Sequence, residues 1–71
     1  MKIRNGFVRL IQGTWKSLHL INSFHVECDD EGKRYRIWAR DRDNTDWAIS
    51  PWYEDEMLAQ ADLDLIMHEA T

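Results

Sequence analysis

The stretch from Phe24 to Arg40 constrains this chain more than any other, because its two halves fit together as a β-hairpin in one register. Asp29-Asp30-Glu31-Gly32-Lys33 is polar, and its single Gly stands where a tight reversal needs positive φ. With Glu31 and Gly32 at the tip, Asp30 faces Lys33. The pairs then run Asp29–Arg34, Cys28–Tyr35, Glu27–Arg36, Val26–Ile37, His25–Trp38 and Phe24–Ala39. Alternation of side chains gathers Phe24, Val26, Cys28, Tyr35, Ile37 and Ala39 on one face. The other face sets Asp29 against Arg34, Glu27 against Arg36 and His25 beside Trp38. A slip of one residue mixes the two sets, so the pattern specifies the register. Each facing charge pair adds about 0.2–1 kcal/mol; the apolar face supplies most of the driving force.

A chain of 71 residues makes a single domain, 1–71, with the sheet over about 1–50 and a helix over about 54–70. At this size only about 60% of the unfolded surface is buried, so the fold is marginal alone or helped by a partner. No apolar run approaches the ~20 residues of a membrane span, and Met-Lys-Ile-Arg-Asn-Gly lacks the apolar centre of a signal peptide. Cys28, the one cysteine, falls on the inward face as a buried thiol and cannot form an internal disulfide. A reducing, cytoplasmic setting fits these features. Charge is divided unevenly. All nine Lys and Arg lie within residues 1–42 beside five acids, whereas residues 43–71 carry eight acids and no Lys or Arg, giving +4 and −8. Such asymmetry marks either a polar partner surface or a basic sheet complementing an acidic helix within one domain.

Asn5-Gly6 is a strong hairpin signal that pairs Ile3-Arg4 with Phe7-Val8. A three-residue loop at Gly13 then pairs Leu10 with Leu18 and Val8 with Leu20, placing all four in the core of a strand pair whose second member is Trp15–Leu20. Ile21-Asn22-Ser23 breaks the alternation and reads as a bend or bulge. Past Asp41–Thr45, a strand over Asp46–Ser50 has two possible parities. An odd loop with Asn44 at positive φ turns Trp47 and Ile49 inward; an even loop leaves them outside beside Trp38. Pro51 ends that strand, and Trp52 is expected to seal the corner between sheet and helix. Asp55 caps a helix over Glu56 to about Glu69, with acids at its positive end. The helix has two apolar stripes: Ala59, Leu63, Ile66 and Ala70, and, on another side, Leu58, Ala61 and Leu65. A helix on a sheet needs one. The second stripe, with Met57, points to an oligomer interface.

The run Tyr53, Glu54, Asp55, Glu56, Ala59, then Leu63 and Ile66, together with the step Ile21-Asn22-Ser23-Phe24, resembles short uncharacterised proteins of Gram-positive bacteria and their phages. In those, a β-meander precedes a helix opening on Tyr-Asp-Thr-Glu-Glu-Glu-Ala. The likeness extends over residues 18–67, and the chain departs from it where Met57 and Leu58 replace acids. The resemblance implies a β-meander followed by a helix and a phage-related origin; it carries no activity and no functional residues.

One strand sets Arg34, Arg36, Trp38 and Arg40 on a single outer face, with His25 opposite, a pattern suited to phosphates and a stacked base. The acidic balance of the chain opposes that use. His25, Glu27 and Asp29 share the face, but ligands two residues apart on a flat strand lie about 6–7 Å apart, too wide for one ion without a fourth group. No metal or cofactor is therefore expected. There is no nucleophile elbow, phosphate loop, paired cysteine or Ser/His/Asp set, and little volume for a substrate pocket, so no enzymatic activity or small-molecule substrate is expected. The sequence thus predicts an α+β fold: an antiparallel β-meander of four to five strands with one C-terminal helix packed on one face. The expected role is a small non-catalytic protein–protein interaction module, self-associating as a homodimer or docking on another protein. In one version the acidic segment mimics a nucleic-acid strand. The alternative is a single-stranded nucleic-acid-binding protein using Arg34, Arg36, Trp38 and Arg40.

Overall fold

The computed structural model describes residues 2–70; Met1 and Thr71, the ends of the expected domain, lie outside the described residues. The fold is α+β, with two antiparallel three-stranded sheets and a C-terminal helix. The first sheet comprises β1 (Ile3–Arg4), β2 (Phe7–Arg9) and β3 (Trp15–Ser17), and a 3₁₀ turn over Leu18–Leu20 follows it. The second comprises β4 (Ile21–Cys28), β5 (Tyr35–Asp41) and β6 (Asp46–Ala48), in that order, and the helix α1 spans Glu56–Ala70. The strands therefore split into two sheets where the sequence predicts one meander. The division falls at Leu18–Leu20: Ser17 caps a helical turn through its hydroxyl, which accepts from His19 N, and the chain leaves the first ladder.

The first sheet follows its turns. Asn5 and Gly6 sit at φ 51° and 82° and pair Ile3 with Val8 and Arg4 with Phe7, as expected. The next loop lies two residues earlier than predicted, at Ile11-Gln12-Gly13, with Leu10 N donating to Thr14 O and Gly13 N to Leu10 O. Val8 consequently faces Lys16 rather than Leu20, and Arg9 faces Trp15. Gly13 adopts φ 102°, and it does so as the last residue of the loop. The shift of register is an even number of residues, so Val8 and Leu10 remain buried. Leu18 still packs against the core from outside the strand, whereas Leu20 is exposed.

In the second sheet every expected central pair holds, from Phe24 opposite Ala39 to Cys28 opposite Tyr35, and a bulge falls between Ile21 and Ser23. Asn44 at φ 65° closes the odd loop, so Ala39 faces Trp47 and the fully buried Ile49 lies inward. Cys28 departs from expectation: it occupies the inward-facing register but is exposed. It borders a shallow groove with Val26, Tyr35, Glu56 and Gln60.

Asp55 caps α1 through its carboxylate, which accepts from Met57 N at 2.8 Å. Ala59, Leu63 and Ile66 form the buried stripe. Leu63 and Ile66 join Ile3, Val8, Leu10, Ile21, Ile37, Ala39 and Ile49 in one core, and α1 packs against β4, β5 and β1. The Tyr53 hydroxyl donates to Asp62 on the flank of the helix; burial and the neighbouring carboxylate push the phenol up to about 12. The sheets are tied together by Ile11 N donating to Ala48 O and by Arg42, whose N donates to Leu20 O and whose Nε donates to His19 O. Lys16 joins them by charge, 3.8 Å from Asp41 and above the Trp47 ring. No described helix is long and apolar enough to cross a membrane.

Candidate functional site

The outer face of the second sheet is shaped by an interruption in its edge. Ile49 N donates to Ile37 O, but Ile37 N finds the Ser50 hydroxyl at 3.0 Å instead of a backbone carbonyl. Pairing resumes at Tyr53, which exchanges two hydrogen bonds of 2.7 and 2.8 Å with Tyr35. Pro51 and Trp52 lie in between as extra residues, since proline cannot donate to the ladder. The bulge turns Trp52 onto the outer face, not into the sheet–helix corner expected for it. There its ring lies under two guanidinium groups, 4.3 Å from that of Arg36 and 5.0 Å from that of Arg34.

Arg36 also lies 5.8 Å from the Trp38 ring, so it stands between two indoles. This changes its partnership. Glu27 faces Arg36 in the backbone register as predicted, yet among the described residues its carboxylate lies closest to His25 Nε2, at 3.5 Å. Among the described residues, Arg36 Nε is buried without a hydrogen-bond partner. Arg34 keeps its expected partner: its Nε donates to Asp29 at 3.2 Å. The Lys33 backbone N–H, followed by Arg34, lowers the Asp29 carboxyl below its ordinary value. Arg40 forms a two-pronged contact with Asp46 on β6, at 3.0 and 3.4 Å. That hydrogen bond raises Arg40 and lowers Asp46, a sign of reciprocal stabilisation. The predicted group Arg34, Arg36, Trp38, Arg40 and His25 is thus brought together on one face. Trp38 is half-buried there rather than fully in water.

Two members of this face escaped the sequence reading. Trp52 arrives through the bulge, whose only sequence sign is Pro51. Asp46 arrives through the odd loop, and its place opposite Arg40 follows from Asn44 once that parity is chosen. Asp46 replaces Asp29 beside His25 and Glu27: ligand atoms of His25, Glu27 and Asp46 all lie within 4.8 Å of one another.

A second surface is the outer stripe of α1. Met57, Leu58 and Leu65 are 79, 58 and 62% exposed, and Ala61 between them is exposed as well. All four predicted interface residues therefore face away from the core. The outer side of the first sheet adds a patch the sequence left open: Phe7 and Trp15 are exposed, facing Arg4 N-terminally and Arg9 across the ladder. Comparison with protein families, with curated proteins and with solved structures finds no match to this chain.

Proposed function

We propose that this chain is a small non-catalytic protein-interaction module whose docking surface is the outer stripe of α1, and that a second copy of the chain is its occupant. The observation that carries this reading is the exposure of Met57, Leu58 and Leu65 on a helix whose other stripe is already in the core. Covering one such side chain is worth about 1.5–3 kcal/mol, and a contiguous apolar patch of this kind marks an interaction site. The helix carries Glu56, Asp62, Asp64 and Glu69 and no Lys or Arg. Its charge complement is on the same molecule, where Phe7 and Trp15 lie between Arg4 and Arg9. In the proposed dimer each helix sits on the first sheet of the other copy, where these opposite charges meet. The reading is of a cytoplasmic, phage-related protein, supported by the lone cysteine and the helix start from Tyr53 to Ala59.

Light scattering tests it. The expected mass is twice the 8.5 kDa chain mass, falling toward the monomer as salt screens the charges. Leu58→Glu and Arg9→Glu each restore the monomer. A wild-type monomer at high concentration overturns the proposal, as does a dimer indifferent to both substitutions. The competing reading, single-stranded nucleic acid on the Arg34–Arg40 face, has less support. Arg34 and Arg40 are engaged by Asp29 and Asp46, and guanidinium groups already cover the Trp52 ring where a base would stack.

A further inference from the structure

We propose that His25, Glu27 and Asp46 form a binding site for a first-row divalent cation such as Zn²⁺ on the outer face of the second sheet. The three side chains come from β4 and β6 and converge above β5. His25 Nε2 lies 3.5 Å from Glu27 Oε1 and 4.0 Å from Asp46 Oδ2, with all three ligand atoms within 4.8 Å. In a tetrahedral shell with bonds near 2.1 Å, ligand atoms stand about 3.4 Å apart. Closing the trio around an ion therefore takes side-chain movements of the order of 1 Å and no backbone change. One imidazole nitrogen and two carboxylate oxygens suit such a cation, and water completes the shell.

Three further observations support the site. Among the described residues, His25 Nε2 is enclosed and makes no hydrogen bond, although it faces two carboxylates. The side chains of His25, Glu27 and Asp46 are 23, 56 and 32% exposed, which leaves an approach from solvent. The nearby arginines are disposed to permit a cation. Arg36, which faces Glu27 in the register, is held instead against the Trp52 and Trp38 rings. Arg40 binds Asp46 through Oδ1 at 3.0 Å more closely than through Oδ2 at 3.4 Å. Asp46 can give Oδ2 to the metal and keep Oδ1 on Arg40, which then orients the ligand from behind.

The test is a titration of the whole chain with Zn²⁺ by calorimetry and with Co²⁺ by visible absorption. The expected result is one ion per chain, with a Co²⁺ spectrum free of thiolate charge transfer. Asp46→Asn keeps the shape of the side chain and is expected to abolish binding, as is His25→Ala. Cys28→Ser and His19→Ala leave it unchanged. Trp52→Ala, which touches no ligand, releases Arg36 toward Glu27 and weakens the metal about tenfold, in line with other outer-shell changes. Absence of binding at millimolar metal overturns the proposal. So does binding that survives Asp46→Asn in the folded protein, or a Co²⁺ thiolate band that disappears in Cys28→Ser.

Discussion

The two sheets hold their register by different means. In the second, strands of eight and seven residues interlock along their whole length, and both faces object to any other alignment. Its inner face supplies Ile37, Ala39 and Ile49 to the core, and its outer face sets Asp29 against Arg34 and Asp46 against Arg40. The first sheet has strands of two or three residues. Its side chains give parity but little else, and the turns at Asn5-Gly6 and Ile11-Gln12-Gly13 decide which residues meet. Long strands are aligned by side chains; short ones are aligned by backbone conformation.

The largest expected effect separates the sheets by what they bury. Ile37→Ala, at a fully enclosed position, is expected to cost about 3–4 kcal/mol in urea unfolding. Val8→Ala, equally enclosed but losing two carbons instead of three, costs about 2 kcal/mol. Equal costs would show that the short sheet is as well packed as the long one. The turns come next. Gly13 at φ 102° lies outside the left-handed region that Asn enters readily, whereas Gly32 at φ 69° lies within it. Gly13→Asn should therefore cost about 1–3 kcal/mol, and Gly32→Asn only a few tenths of a kcal/mol. Identical melting temperatures for the two variants would break the claim that turns govern the first sheet.

The smallest effect concerns the join. Asp41 accepts from the Trp47 indole N–H at 2.9 Å, then from Thr45 N and Asp43 N, and lies near Lys16. These contacts, the indole bond foremost, lower its carboxyl below 3.8. Because the folded value is depressed, the stabilisation is present above 3.8 and fades as pH falls through the folded value. Asp41→Asn should lower the urea midpoint in the neutral region, where the ionised carboxylate contributes, and so flatten the acid limb of a plot of midpoint against pH, with little change at the most acid end. An unaltered acid limb would mean that the join between sheets does not depend on this carboxylate.

These differences explain what the sequence revealed. The second sheet was legible pair by pair because opposite charges and apolar residues both alternate between Phe24 and Ala39, so one alignment satisfies both. The β2–β3 register was not, because shifting it by an even number of residues keeps Val8 and Leu10 inside, and nothing polar penalised the alternative. Ser17-Leu18-His19-Leu20 alternates like a strand, but the Ser17 cap starts a helical turn there. The arginine face was legible by parity. Its electrostatics were not, since Trp52 reaches Arg36 only through a two-residue excursion that no periodicity announces. Both stripes of α1 could be read from spacing alone, because a helix has one period and its buried side follows from it.

The order of the second sheet leaves β4, eight residues long, at its margin, paired with β5 on one side and with no strand of that sheet on the other. Margins of this length recruit extended segments from other molecules and seed fibrils. Here the kink between Ile21 and Ser23 splits the row of amides, and charged Glu27 projects near its other end. An intruding segment therefore meets a strand kinked at one end and charged near the other, two devices by which sheet edges resist further pairing.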